Sequence, residues 1–214
     1  IFNKLKLKTN VAIALRLDVT NVYEARDIDY AWDTANIATL DLANDKNVAC
    51  VVLNLLNLDE NSRLQEQCIQ NIQLAVAKCK KAAIPIMVEP LVMTAKAGAG
   101  SASVGDVNKI ASLVRQAVEL GADIIKVDAT TPMSDFHQVV EIASGVPVLV
   151  RGGGQVTPRE LIERTRIAID SGASGVVYGR NVVQHANPAK FIKSIRAIVH
   201  QDATVDEAIK ILDK

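Results

Sequence analysis

The 214-residue sequence predicts an α/β fold whose parallel sheet curls toward a barrel, and three observations carry that reading. Short runs rich in β-branched residues alternate with helical stretches of about 10 to 20 residues, the pattern of βα units. Each run splits into an apolar face and a face that turns polar near its C-terminal end. No low-complexity tract or block of like charge interrupts the series, so residues 1–214 read as one domain.

The six strand-like runs are VAIALRLD (11–18), VACVVLNLL (48–56), IPIMVEPLV (84–92), ADIIKVDA (122–129), VPVLVRGG (146–153) and GVVYGRNVV (175–183). Between the second and third, Leu64, Cys68, Ile72, Val76 and Cys79 recur at steps of three and four and make one helical apolar stripe. Val107, Ile110, Val114, Ala117 and Val118 repeat that spacing before the fourth run, with Gly121 placed to end the helix. Thr157, Pro158 and Glu160 spell a capping box with proline at the first helical position, and Asn187 with Pro188 opens AKFIKSIRAIV in the same way. TVDEAIKIL (204–212) predicts a last short helix. The Gly-, Ala- and Ser-rich segment TAKAGAGSASVG (94–105) predicts a loop over the carboxyl ends of the strands, either a connector or a lid.

Charge narrows the partners. Lys and Arg number 24 and Asp and Glu number 24, so no net field favours nucleic acid or an anionic membrane, and a small ligand is expected instead. There is no signal-peptide pattern and no apolar run of the roughly 20 residues a bilayer span needs. Cys68 and Cys79 sit about 16 Å apart along one helix by helical rise, too far to bridge, which fits a reducing cytoplasm.

Side chains alternate across a strand, so each run assigns residues to faces. Val11, Ile13, Leu15 and Leu17 suit packing under helices, leaving Arg16 and Asp18 on the other face. The same parity pairs Val52 with Asn54, Met87 with Glu89, Ile124 with Lys126 and Asp128, Leu149 with Arg151, and Val176 with Tyr178 and Arg180. If these faces line a barrel, charged and amide groups gather at its carboxyl end, where barrel enzymes carry their chemistry. Two glycine-rich turns follow the last runs: Arg151, Gly152, Gly153 and Gly154, then Gly179, Arg180 and Asn181. Glycines admit close approach of main-chain N–H groups to an anion, and NVVQ (181–184) predicts a short helix beside them, so Arg151, Gly152, Gly153, Gly179 and Arg180 are the candidate phosphate ligands.

Lys126 lies in the middle of an apolar strand, where lysine is rare without a partner or a task. An unprotonated lysine attacks carbonyls, burial or a neighbouring Arg151 favours that form, and the resulting Schiff base is an electron sink for breaking or forming an adjacent carbon–carbon bond. Glu89, Asp128 and Asp18 are the inward carboxylates available to move protons. The competing reading is a structural ion pair of Lys126 with Glu89 or Asp128. His137, His185 and His200 show no paired ligand spacing, no nucleophile elbow is present, and no metal or cofactor is expected. Tyr23, Tyr30, Trp32 and Tyr178 are expected in packing rather than in the site.

IPIMVEP, AVELGADIIKVD, VPVLVRGGG and GASGVVYGRNVVQHANPAKFIKSIRAIVH, taken together, resemble the class I Schiff-base aldolases of the DhnA, DeoC and LacD group, nearest the DhnA-type fructose-bisphosphate aldolases. The resemblance covers most of residues 11–212. It implies a (β/α)8 TIM barrel, Lys126 as the Schiff-base lysine, phosphate at Gly152, Gly153, Gly179 and Arg180, a phosphorylated small-molecule substrate, no metal, and a homo-oligomer. Against that pattern six strands are visible where eight are expected. The first two βα units, with the aspartate-bearing first strand, are read as missing from this chain, and residues 94–105 contain no tyrosine. The reading that follows is a cytoplasmic class I aldolase (an aldehyde-lyase) acting on a phosphorylated ketose or keto compound. Two alternatives stand beside it: a Schiff-base acyl or aldehyde transferase, and a non-catalytic barrel that binds a phosphorylated ligand.

Overall fold

The structure is a computed structural model that describes residues 12–25, 28–45, 48–58, 61–96 and 100–213. In chain order its elements are β1 (Ala14–Arg16), β2 (Asp18–Thr20), β3 (Asp33–Ala35), α1 (Thr39–Asp45), β4 (Cys50–Leu58), α2 (Ser62–Ala82), β5 (Ile86–Ala95), β6 (Ser101–Ser103) and α3 (Val107–Leu120). They continue through β7 (Ile124–Val127), α4 (Phe136–Ile142), β8 (Val148–Arg151), α5 (Pro158–Asp170), β9 (Gly175–Val177), α6 (Arg180–Val183), α7 (Pro188–Gln201) and α8 (Val205–Asp213).

Six strands run parallel in the order β1-β4-β5-β7-β8-β9, one for each strand-like run of the sequence. They form a curled half-barrel, and β1 and β9 do not pair with each other among the described residues. β2 and β3 make a separate antiparallel ribbon. No helix is long and apolar enough to cross a membrane among the described residues.

Strand alternation builds two layers. On the helix side, Val51, Leu53 and Leu55 of β4, Val88 of β5, Ile125 and Val127 of β7 and Val150 of β8 are buried against the helices. The α2 stripe packs there as its spacing predicts, with Leu64, Cys68 and Ile72 fully buried. Asn61 caps that helix by accepting from the Leu64 N–H at 3.0 Å. Truncating Ile72 to alanine would empty the centre of the layer and cost roughly 2–5 kcal/mol. On the concave side Cys50, Val52, Met87, Ile124 and Leu149 make a small apolar floor. Register aligns Val52 with Met87 and Met87 with Ile124, so the residues two positions further on, Asn54, Glu89, Lys126 and Arg151, rise together above that floor.

The Thr157–Glu160 capping box and the Asn187 cap form as expected. Thr157 accepts from the Glu160 N–H and Glu160 from the Thr157 N–H, while Asn187 accepts from the Lys190 N–H. Gly121 ends α3.

Two expectations change. Of residues 94–105, residues 97–99 lie outside the described residues, and the rest is not a plain loop. β6 folds back antiparallel on the end of β5, pairing Met93 with Ser103 and Ala95 with Ser101. Small, flexible residues suit a connector by composition, but here their backbone groups find partners in β5 and in the 22–25 segment. In β9 the parity is reversed. Register puts Gly175 beside Leu149 and Val177 beside Arg151, so Val176 and Tyr178 face the helices rather than the concave side. Tyr178 is better satisfied there, its hydroxyl 2.9 Å from that of Thr165 on α5 and its ring in the apolar layer.

Candidate active site

Above the apolar floor lies a cavity of about 460 Å³ whose wall includes Arg16, Asp18, Asn54, Glu89, Lys126 and Tyr23. Glu89, 4% exposed, is its electrostatic centre. Its Oε2 receives Lys126 Nζ at 2.9 Å and the Arg16 guanidinium, and Arg151 Nε stands 3.6 Å from its Oε1. Arg16 also donates to Asp18 Oδ1 at 2.8 Å and to Asn54 Oδ1 at 2.7 Å. The main-chain N–H of Asn54 donates to the other Asp18 oxygen. Arg151 Nη1 reaches Asp128 Oδ2 at 3.2 Å. The sheet register draws Lys126, Glu89 and Arg151 together, and Asp128 after β7 and Asp18 of the β2–β3 ribbon join them in one linked set of charges.

The carboxylates differ in what their surroundings do to them. Burial pushes Glu89 up, but Lys126, Arg16 and Arg151 outweigh it and hold the group below the usual carboxylate range. Burial dominates at Asp18 and at Asp128, and both sit above that range although Arg16 pulls the first down and Arg151 the second. Asp33 stands behind Asp18, taking Nδ2 of Asn54 at 3.2 Å and Nδ2 of Asn71 at 3.1 Å. Burial, with the Asp18 charge adding to it, raises Asp33 to about 6.

A second, smaller cavity of about 260 Å³ opens on the other side of Arg151, and Asp128 and Gly153 are on its wall. The two glycine turns do meet. Asn181 Nδ2 donates to the carbonyls of Gly152 at 3.4 Å and Gly154 at 3.0 Å, its Oδ1 accepts from the Val156 N–H at 3.1 Å, and Arg180 Nη2 lies 3.5 Å from the Gly153 carbonyl. Gly152 is closely packed: a Cβ there would stand 3.1 Å from Tyr178 Cδ1, and the ring would have to give by a few tenths of an ångström. Gly179 precedes α6, and neither it nor the exposed Arg180 is on the wall of either cavity.

Several participants have no separate signal in the sequence. Asn181 is the staple between the turns, and Asp33 reaches the network through a ribbon far from it in the chain. Tyr23, half-exposed at the cavity mouth and expected in packing, stands near Arg151 and helps to hold its guanidinium charged. Its backbone is positioned by the β5–β6 hairpin, where the Gly100 N–H donates to the Ala25 carbonyl at 2.7 Å and Ser101 Oγ to the Val22 carbonyl at 2.5 Å. Among the described residues no three His, Cys, Asp or Glu side chains group as a metal site, and Cys50, Cys68 and Cys79 are buried free thiols.

Compared with known proteins, residues 3–185 match the DeoC/LacD family aldolase. The chain belongs to that family. This DeoC/LacD aldolase is 34% identical over 199 residues to an uncharacterized aldolase of Saccharolobus solfataricus, a match that covers 92% of this chain and 72% of the relative. It is 42% identical over 100 residues to a class 1 fructose-bisphosphate aldolase of Halobacterium salinarum, across 47% of this chain and 38% of that protein's length. Among solved structures, a Schiff-base-forming fructose-1,6-bisphosphate aldolase superposes with a TM-score of 0.75 at 23% identity, covering 90% of this chain and 73% of that one. At that identity the likeness establishes the fold, the TIM-barrel architecture of such aldolases.

Proposed function

We propose that this aldolase is of class I, that Lys126 forms its Schiff base, and that the substrate is a phosphorylated ketose or related keto compound. The observation that carries the reading is the position of Lys126 Nζ, inside the concave cavity and 2.9 Å from a carboxylate shared by three cations. A purely structural ion pair needs one cation per carboxylate and no cavity. Here the lysine side chain keeps 17% of its surface accessible, enough for a ligand to reach it.

The chemistry follows from the groups on the wall. The amine adds to the substrate carbonyl, the carbinolamine loses water, and a protonated imine results. Cleavage of the adjacent carbon–carbon bond sends its electron pair into that imine as an enamine and releases an aldehyde; protonation of the enamine carbon and hydrolysis then free the second product and the lysine. Glu89, held ionised by its cations, serves as counter-charge to the imine. Asp18 and Asp128, which burial holds above the usual carboxylate range, take up a proton more readily than Glu89 and are better suited to proton exchange. The turns at Gly152, Gly153, Gly179 and Arg180, with Arg151, take the phosphate.

Borohydride reduction in the presence of a panel of ketose phosphates, followed by peptide mass spectrometry, tests the proposal. A reduced adduct on the peptide that contains Lys126, lost in Lys126→Arg, is expected. No adduct across the panel would overturn it.

A further inference from the structure

We infer that Asp33, which is on the wall of neither cavity, is a positioning residue for Lys126: it fixes the Asn54 amide, the amide seats the Arg16 guanidinium, and Arg16 shares the Glu89 oxygen that Lys126 contacts. The effect on Lys126 rests on the Schiff-base reading, whereas the seating of Arg16 stands apart from it.

Asp33 is 4% exposed and is held from two sides. The β2–β3 ribbon pairs it with Thr20. From α2, Asn71 Nδ2 donates to its Oδ2 at 3.1 Å and Gln67 Oε1 accepts from its main-chain N–H at 3.4 Å. Its other oxygen, Oδ1, faces the sheet and takes Nδ2 of Asn54 at 3.2 Å. An amide donates from one end and accepts at the other. With its donor end on the carboxylate, Asn54 turns its oxygen the opposite way, and that oxygen accepts from Arg16 Nη1 at 2.7 Å. Flipped, the amide would set acceptor against carboxylate and donor against guanidinium. Charge at both ends selects one orientation, and Asn54 carries it from Asp33 to Arg16.

Arg16 is the member of the charge network that needs seating. It lies on β1, which pairs only with β4 among the described residues, and its side chain keeps 37% of its surface accessible, against 17% for Lys126. A long side chain at an open edge stays in one rotamer only where acceptors hold it, because release into water returns its rotamer entropy. Asn54 and Asp18, the latter 2.8 Å from Nη1, are the acceptors that leave Nη2 aimed at Glu89. Once Arg16 swings out, Lys126 loses a positive neighbour and meets a Glu89 charge that is less divided. Both changes favour the ammonium over the free amine that attacks a carbonyl.

Pentane-2,4-dione is the probe. It condenses with a free amine, losing one water, to an enaminone whose near-ultraviolet absorbance reports the rate of capture at Lys126, with Lys126→Arg as the blank. In Asp33→Ala and in Asn54→Ala the rate is expected to fall about tenfold, within the span of coupling inside one hydrogen-bond network, and the double variant should lose no more than either alone. Asp33→Asn keeps an oxygen for the Asn54 amide and should recover most of the rate. Asn71→Ala removes the other side-chain hydrogen bond of the same carboxylate; it should lower the melting temperature yet leave capture near the wild-type rate, which separates positioning from stability. The guanidinium resonances of Arg16, identified by their absence in Arg16→Lys, should be those of a held group in wild type and of a freely rotating one in Asp33→Ala. Should Asp33→Ala not fold, Asn54→Ala cuts the same link from its other end and carries both readouts. Wild-type capture in Asp33→Ala, or losses that add in the double variant, overturns the inference. No capture in wild type would fall on the Schiff-base reading instead, and unchanged Arg16 resonances in Asp33→Ala would then overturn the seating of Arg16 on their own.

Discussion

Lys126 and Glu89 meet at 2.9 Å on neighbouring parallel strands, one pleat above the apolar contact of Ile124 with Met87. Their meeting is a consequence of register. Once Met87 and Ile124 pair on the floor, the residues two positions on must face each other inside the curl.

Replacing Glu89 therefore tests more than one ion pair. Glu89→Gln leaves Lys126, Arg16 and part of Arg151 without their shared counter-charge, and a loss of about 3 kcal/mol is expected from urea unfolding at pH 7. The native carboxyl is held below its ordinary range, so its contribution is present above the unfolded value and disappears as pH falls through the folded one. Glu89→Gln should remove that acid-side loss. Equal stability of the two proteins at pH 7 would show that the buried charges are compensated in some other way.

Asp33 has the opposite sign. Its folded value of about 6, up from 3.8, means that the native state binds this proton more tightly than the unfolded chain does. The stabilisation is full below 3.8 and is lost as pH rises to about 6, a change of order 3 kcal/mol. Unfolding free energies of wild type and Asp33→Asn, compared from pH 4 to pH 7, should differ progressively less in favour of wild type as pH rises. A difference that does not vary with pH would refute the shift.

How much of this is legible in the sequence depends on the range of the interactions. The α2 stripe, the helix caps and the six strand runs are local patterns, and the alternation in IPIMVEP and ADIIKVD is enough to put Glu89 and Lys126 on one face. That Arg16 and Lys126 meet on one oxygen of Glu89 depends on β1 and β5 both pairing with β4, although Arg16 and Glu89 lie 73 residues apart, and no local pattern encodes that. β9 shows the limit of extrapolating alternation: parity alone assigns Val176 and Tyr178 inward, but register on β8 turns them toward the helices. β6 is hidden because glycine, alanine and serine carry little strand propensity, and its pairing comes from the backbone of β5.

Tyr23 provides a catalytic test at the mouth of the larger cavity, where it stands near Arg151. Tyr23→Phe removes the phenol but keeps the ring. If the phenol moves protons for the bound intermediate, kcat should fall about 100-fold, a scale typical of general acid–base groups. Borohydride trapping at Lys126 should persist, because the attacking amine is untouched. Unchanged kcat would assign Tyr23 to positioning Arg151 alone.

Gly100 links that tyrosine to the hairpin. It sits at φ +74°, and a Cβ built on it would lie 2.1 Å from the Tyr23 carbonyl oxygen, a contact with backbone that no rotamer change relieves. Gly100→Ala must either strain the turn or push the 22–25 segment away from β6, breaking the hydrogen bonds to Ala25 and Val22. The expected cost is about 2–3 kcal/mol, from strain plus lost pairing. Because the displaced segment carries Tyr23, the same variant should lose turnover while the α2 core still resists hydrogen exchange as in wild type. A Gly100→Ala protein with wild-type stability and turnover would show that the hairpin does not hold Tyr23 at the cavity, and the proton-transfer reading of that phenol would lose its structural basis.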